Sequence, residues 1–400
     1  MSLSHGRPYL AIPGPSVIPD QVLQAMHRPS PNIYEGELVE MTESLIPDLK
    51  YVAQTNGYVA IYIANGHGAW EAALANTVEA GDEILVAATG RFAHGWAEMA
   101  GSMGVNTQII DFGKSSTIDA NVLEKALKLD VDKKIKAVLV THVDTSSSVR
   151  NDLHSVRQVL NTLRHPALLL ADCVASLACD RFEMDNWGVD IMVAGSQKGL
   201  MVPPGLSFVF FNERAKIRQG SLSRVSSYWN WAPRVDPDIY YEYFCGTAPT
   251  QHIYGLRVAL NMIRSEGLDA IFKRHETLAR AIWSAVECWG SDNGQMRLNI
   301  QNEKHRSRAV TAISIGAPHG LKLRRWVEQK AGLTLGIGLG MSTSEDPQAD
   351  GFFRVGHMGY LNAHMVMGLI GTVEAGLCAL SIPHGSGACE AAAQKIALNT

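Results

Sequence analysis

The sequence predicts an α/β protein: a large domain on a mostly parallel seven-stranded sheet, then a smaller α+β C-terminal domain. Three observations lead there. Short apolar runs recur up to about residue 211, and they are continuous rather than alternating, as suits strands covered on both faces. Amphipathic segments separate most of them. After about residue 215 the pattern changes and helical periodicity takes over.

Taken in order, VAIYIA (59–64), EILVAA (83–88), NTQIID (106–111), IKAVLVTH (135–142), ALLLAD (167–172), DIMVAG (190–195) and LSFVFF (206–211) read as strands. WEAALANTVEA and NDLHSVRQVLNTLRH are the clearest helices between them. A polar and aromatic stretch, SSYWNWAPRVDPDIYYEYF, leads into one long helical pattern that starts at Gln251 and runs to about residue 290. A smaller unit follows: a strand at 309–316, a helix near 321–331, a short strand near 352–355 and a helix over 363–380. The small, polar tail from His384 is expected to fray. The division expected is an N-terminal arm over 1–20, a large domain over 21–265 and a small domain over 266–400.

Composition narrows the function. Of 400 residues, 46% are hydrophobic and 18% charged, so a sizeable core forms and wholesale disorder is excluded. A net charge of −4 without a basic stripe argues against nucleic acid. Six cysteines show no CxxC pair and no zinc spacing, so neither a metal site nor a disulfide framework is expected. With no leader-like start and no membrane-length apolar run, the expectation is a cytoplasmic protein.

The chemistry centres on DIMVAGSQKGLMVPPG, where one lysine, Lys198, follows a strand and precedes rigid turn residues. Asp172 ends the preceding strand. If the two strands run parallel, both residues meet at the carboxyl edge, where open α/β sheets bind ligands. A desolvated lysine there becomes a nucleophile towards an aldehyde. The obvious aldehyde is pyridoxal phosphate, which needs a Schiff-base lysine, a carboxylate for its ring nitrogen and a phosphate cradle. Either residue alone reads as an ordinary loop lysine or a capping aspartate; the pair persuades through its surroundings. Asn65-Gly66-His67-Gly68 opens a helix after the first strand and offers N–H groups to an anion. GRFAHGW offers Phe92 and Trp96 as ring-stacking residues, with Phe92 nearer the strand end. THVDTSSSVRNDL supplies hydroxyls, of which Thr145 is the first choice.

Together PGPSVIPDQVLQAM, ANGHGAWEAAL, GRF, THVDTSSSVRNDL, LLADCVASL, DIMVAGSQKGLMVPPGLSFV, APTQHIYGLRVAL and FRVGHMGYLN resemble the serine–glyoxylate and alanine–glyoxylate aminotransferase family, class-V enzymes of the pyridoxal phosphate fold type I. The resemblance runs from about Pro13 to about Leu380. It implies that Lys198 carries the Schiff base and shuttles a proton, and that Asp172 pairs with the pyridine nitrogen. Val174 and Phe92 would cover the two ring faces. Gly66, His67 and Gln197 would serve the phosphate, and Thr145 the phenolic oxygen. Thr247 would reach the phosphate of a neighbouring subunit's site, which implies a homodimer with shared sites. Arg354 would hold the substrate carboxylate. Where relatives tend to carry a basic residue near the N-terminus, this chain reads NIYEGELVEM, so Tyr34 and Glu35 are expected near the substrate. MSTSEDPQADG after Gly340 reads as a solvated insertion.

The reaction so implied is ping-pong transfer of an amino group from a small amino acid to glyoxylate or pyruvate. Related alternatives are a class-V transaminase using aspartate, pyridoxamine or a phosphonate amine, and a lyase on the same fold. A desulfurase would want a cysteine between Leu335 and Arg354, and none is there. A nucleotide-binding protein would want GxGxxG after the first strand or a GKS/T loop; neither occurs.

Overall fold

The computed structural model describes residues 2–343 and 345–398. Twelve strands are described: β1 (Tyr9–Ala11), β2 (Tyr58–Tyr62), β3 (Glu83–Ala88), β4 (Asn106–Asp111), β5 (Ile135–Thr141), β6 (Leu168–Asp172), β7 (Ile191–Gly195), β8 (Ser207–Phe211), β9 (Arg297–Leu298), β10 (Val310–Ser314), β11 (Leu333–Ile337) and β12 (Phe352–Gly356). The expected apolar runs become β2 to β8, in the seven-stranded order β2-β8-β7-β6-β5-β3-β4. Only β8 runs against its neighbours, β7 and β2.

The continuous apolar runs have a direct cause: the sheet is buried on both sides. Along β5, Ala137 and Leu139 join one core while Val138 and Val140 join another. Strand residues alternate faces, so two buried faces require an unbroken apolar run. β4 departs from that expectation. It pairs only with β3 at the sheet edge, and most of its side chains are exposed or half-buried.

The second sheet has the order β1-β11-β12-β10-β9 and packs against the helices Leu268–Trp289, His319–Ala331 and Ala363–Ala379. Its first strand comes from the N-terminus: β1 runs parallel to β11. The long helical pattern divides into Thr250–Glu266 and Leu268–Trp289 because Gly267 takes φ +82°, a left-handed value open to glycine. The expected fraying tail is corrected. Ala388–Ala397 is a helix, and Ala388 and Ala392 sit fully buried in the second core. Small side chains on one face let that helix approach closely, a signal that a polar composition hides.

Among the described residues, no helix is long and apolar enough to cross a membrane, and no cluster of three or more His, Cys, Asp or Glu side chains is arranged to hold a metal.

Candidate functional site

β6 and β7 are parallel neighbours, so Asp172 at the end of β6 and Lys198 just beyond β7 emerge on the same edge of the sheet. They face a cavity of about 250 Å³. The sequence-named residues Gly66, His67, Phe92, Thr145, Val174 and Gln197 line it as well. Tyr34 and Thr247 do not: both are exposed, and they lie outside the cavity of a single chain.

Burial sets the electrostatics. It pulls the Lys198 amine down from 10.5 to about 8, and the nearby Arg354 charge pulls the same way against the weaker pull of Asp172. The Asp172 carboxyl is pushed up to about 7, again mainly by burial. The Val174 N–H donates to its Oδ1 at 2.8 Å. The Trp70 indole N–H faces the same carboxyl and favours its charge, but falls short of hydrogen-bond geometry. A carboxyl held near neutrality by burial regains its charge when a cationic N–H donor enters beside it. That is the behaviour required of a partner to a protonated ring nitrogen.

The helix Gly66–Ala75 points its N-terminus into the cavity. Its cap differs from the expected free cradle. Asn65 Oδ1 accepts from the His67 N–H at 3.1 Å and the Gly68 N–H at 3.3 Å, so an anion would share the His67 donor with this cap. Gly66 has no room for a side chain: a Cβ there would come within 2.9 Å of Val174 Cγ2. Phe92 lies edge-on to Trp70, with ring centroids 6.2 Å apart, and Trp70 stacks on the buried Trp96. Of the two aromatics in GRFAHGW, Phe92 lines the cavity and Trp96 belongs to the core.

Arg354 arrives from β12 of the second sheet. Its Nε donates to the Ile337 carbonyl at 2.6 Å and its Nη1 to the Thr145 carbonyl at 2.8 Å. Its Nη2 makes no hydrogen bond among the described residues. Burial lowers its pKa to about 10, against the stabilising pull of Asp144.

Asp144 itself went unread in the sequence. It is fully buried, accepts the Phe92 N–H at 2.8 Å and the Ser146 N–H at 2.9 Å, and so ties the start of the helix Arg91–Ser102 to the turn carrying Thr145. Gly90 leaves it space, since a Cβ there would lie 2.6 Å from both carboxylate oxygens. The only sequence signal is an acidic residue before a serine run. Asp144→Asn offers one acceptor oxygen where two are used and sets an amide N–H against a backbone N–H. It is expected to lower stability by about 1–3 kcal/mol, read as a lower thermal unfolding midpoint.

A second element is the N-terminal PGPS, which carries part of the family resemblance but to which the sequence assigns no role in the site. Lys198 Nζ donates to the Pro13 carbonyl, the Ser16 hydroxyl donates to the Lys198 carbonyl at 2.7 Å, and the Ser16 N–H donates to the Gln197 carbonyl at 2.9 Å. Gly14, at φ +103°, passes so close to the lysine that a Cβ would meet Lys198 Cε at 2.6 Å.

The amine, the buried carboxyl, the aromatic wall and the helix N-terminus fit a flat heterocycle with an aldehyde, a basic ring nitrogen and an anionic arm, the features of pyridoxal phosphate. Gln197 Oε1, buried beside them, has no hydrogen-bond partner among the described residues. The site therefore keeps polar capacity that the chain itself does not use.

Comparison with known proteins gives a consistent picture. The chain is 34% identical over 399 residues to a serine–glyoxylate aminotransferase of Methylorubrum extorquens, covering 96% of this chain and 95% of the relative. It is 32% identical to an L-aspartate–glyoxylate aminotransferase of Paracoccus denitrificans, over 96% and 94% of the two chains. The crystal structure of an alanine–glyoxylate aminotransferase from Nostoc sp. superposes with a TM-score of 0.83 at 27% identity, over 94% of this chain and 96% of that one. The family model described as aminotransferase class-V matches residues 9–363. A match of that extent, with the lysine and the carboxyl at one sheet edge, makes this chain a member of the class-V aminotransferase family.

Proposed function

We propose that the protein is a pyridoxal phosphate-dependent aminotransferase that moves the amino group of a small amino acid, serine or alanine in type, to glyoxylate or a similarly small 2-oxo acid. The observation that carries this reading is that Lys198 and Asp172, from the ends of neighbouring strands, line one small cavity, while Arg354 of β12 donates to the carbonyl of Thr145 in its wall. When bound, pyridoxal phosphate supplies the electron sink that allows an amino acid's α-proton to leave. The chain's own residues do the rest. Arg354 grips the substrate carboxylate with its free Nη2 edge, Asp172 holds the ring nitrogen protonated, and Lys198 Nζ takes the α-proton and returns it. Val174 and Phe92 would cover the ring, Thr145 would face its oxygen, and Gly66, His67 and Gln197 would receive the phosphate. Thr247 is exposed and outside the cavity of its own chain, as a residue serving a second copy would be, and we infer a homodimer with shared sites.

One observation favours a second reading, an acidic donor such as aspartate. The chain is 32% identical to the L-aspartate–glyoxylate aminotransferase, and a neighbouring cavity of about 460 Å³, which shares His67, Trp70 and Phe92, offers Arg91 and Lys114 beside Glu98 and Asp111. A donor panel separates the two. Serine, alanine, aspartate and pyridoxamine are added in turn to the cofactor-loaded protein, and loss of its visible absorbance is followed. Fast bleaching is expected with serine or alanine. Bleaching by aspartate alone would select the second reading, and none with any amine would defeat both.

The depressed lysine pKa predicts a pH dependence. The neutral amine is the reactive form, and its fraction falls about tenfold per unit below the pKa. Capture of added pyridoxal phosphate by the apo chain is therefore expected to accelerate as pH rises and level off near pH 8. A rate that keeps climbing past pH 10 would show a lysine with an ordinary pKa of 10.5.

A further inference from the structure

The two groups that must address one substrate sit on different sheets. Lys198 follows β7 of the large sheet, while Arg354 is carried by β12 of the second. A substrate held by its carboxylate at Arg354 reacts only if its α-carbon then lies at Lys198 Nζ. Something must set the separation between the guanidinium and the amine.

Residues 12–16 touch the lysine directly and pack against the strand neighbours of the arginine. On the lysine side, the Pro13 carbonyl accepts from Lys198 Nζ, and Ser16 holds the backbone carbonyls of Gln197 and Lys198. On the arginine side, two glycines are cut away to admit the same segment. Gly336 is the register partner of Arg354, and a Cβ on it would lie 2.7 Å from Pro13 Cδ. Gly356, on the same strand as Arg354, has the Ile12 carbonyl and the Pro13 nitrogen where its Cβ would be. With Gly14 packed against the lysine stem, three glycines from three parts of the chain lack side-chain room around one short segment. The segment enters directly from β1, which is itself hydrogen-bonded to β11.

We propose that residues 12–16 are a spacer strap that sets the distance between the Lys198 amine and the Arg354 guanidinium, which makes Pro13, Gly14 and Ser16 positioning residues for the proton transfer. The proposal rests on the aminotransferase reading and adds how its two key groups are kept in register. A strap displaced by a fraction of an ångström leaves the carboxylate grip intact but moves the α-proton away from the amine. Proton transfer then slows while substrate binding changes little.

The test uses the cofactor-loaded full-length protein, with rates expressed per bound cofactor and with the donor that the panel selects. Gly336→Ala pushes hardest on Pro13, whose Cδ would lie 2.7 Å from the new Cβ, against 3.2 Å to Arg354 Cβ, and does not touch Lys198; the Pro13→Ala/Gly336→Ala double variant separates the two contacts. Gly336→Ala is expected to lower kcat by roughly 100-fold, the scale of a 1 Å misplacement, with KM for the donor near wild type. The primary isotope effect on kcat with the α-deuterated donor is expected to rise, because the proton step has become limiting. A merely destabilised variant would hold less cofactor but would leave the isotope effect where it was. Pro13→Ala removes the ring atom that the added methyl group would strike, so the Pro13→Ala/Gly336→Ala double variant is expected to recover to within a few-fold of Pro13→Ala alone. Ser16→Ala adds no bulk, so it serves even if Gly336→Ala fails to fold, and it too is expected to raise the isotope effect. Unchanged kcat and isotope effect in Gly336→Ala, no recovery in the double variant, or an unchanged isotope effect in Ser16→Ala would each overturn the proposal. A wild-type chain that takes up no pyridoxal phosphate at all would overturn the aminotransferase reading and the strap with it.

Discussion

Lys198→Ala is expected to reduce turnover by at least about 10⁴-fold, because one side chain serves as both nucleophile and general base. The same change should abolish the yellow absorbance that appears when pyridoxal phosphate is added to the wild-type chain, since no other amine lines the cavity among the described residues. The fold should survive. The lysine's contacts are made along its backbone by Ser16 and at its tip by the Pro13 carbonyl, and the backbone contacts persist in the variant. Far-ultraviolet circular dichroism checks the fold, and a half-reaction assay checks the chemistry. A small amine in solution is expected to restore a little of the proton transfer by entering the space left behind. Full activity in Lys198→Ala without such an amine would remove the lysine from the mechanism and with it the proposed reaction.

Asp172→Asn should separate electronic control from cofactor attachment. The asparagine keeps an oxygen for the Val174 N–H, so the turn after β6 holds. What it loses is the charge that answers a protonated ring nitrogen. Removing one partner of a buried ion pair is worth about 3–5 kcal/mol, which corresponds to roughly 10² to 5 × 10³-fold in kcat. Because Lys198 remains, the yellow absorbance should persist, so a coloured but slow enzyme is the expected result. A colourless variant would mean that Asp172 supports the binding of the cofactor more than its reactivity. The raised pKa of this carboxyl, about 7 by burial, adds a second check. Ionisation strengthens as pH rises through that value, so in the wild-type apo chain cofactor affinity should increase from pH 6 to pH 8 by more than in the asparagine variant, which keeps only the part of the rise that Lys198 contributes.

Much of the fold is legible in the chain because its strands are buried on both sides. VAIYIA, ALLLAD and LSFVFF become β2, β6 and β8 with shifts of one or two residues at their ends. The same cue overreaches at NTQIID, whose apolar residues look like any other run although the strand lies exposed at the edge. It also passes over β11. Leu333–Ile337 is short, follows a helix directly and is recognisable only by its pairing with β1 and β12. Of the site, Lys198 and Asp172 stand out because strand ends mark the sheet edge, whereas Asp144 reads as one more turn residue until its partners, Phe92 and Arg354, are seen around it.

Read alone, the sequence determined the α/β class, the seven-stranded core, and the lysine and carboxylate that meet at its edge, since each is written in local periodicity and in residues adjoining a strand end. Only the tertiary structure decided what surrounds them. The Pro13 carbonyl meets Lys198 across 185 residues and the Thr145 carbonyl meets Arg354 across 209. No local pattern encodes such pairings. They follow from how two sheets pack and from where glycines leave room for a neighbouring backbone, and these are properties of the folded volume rather than of any window of sequence.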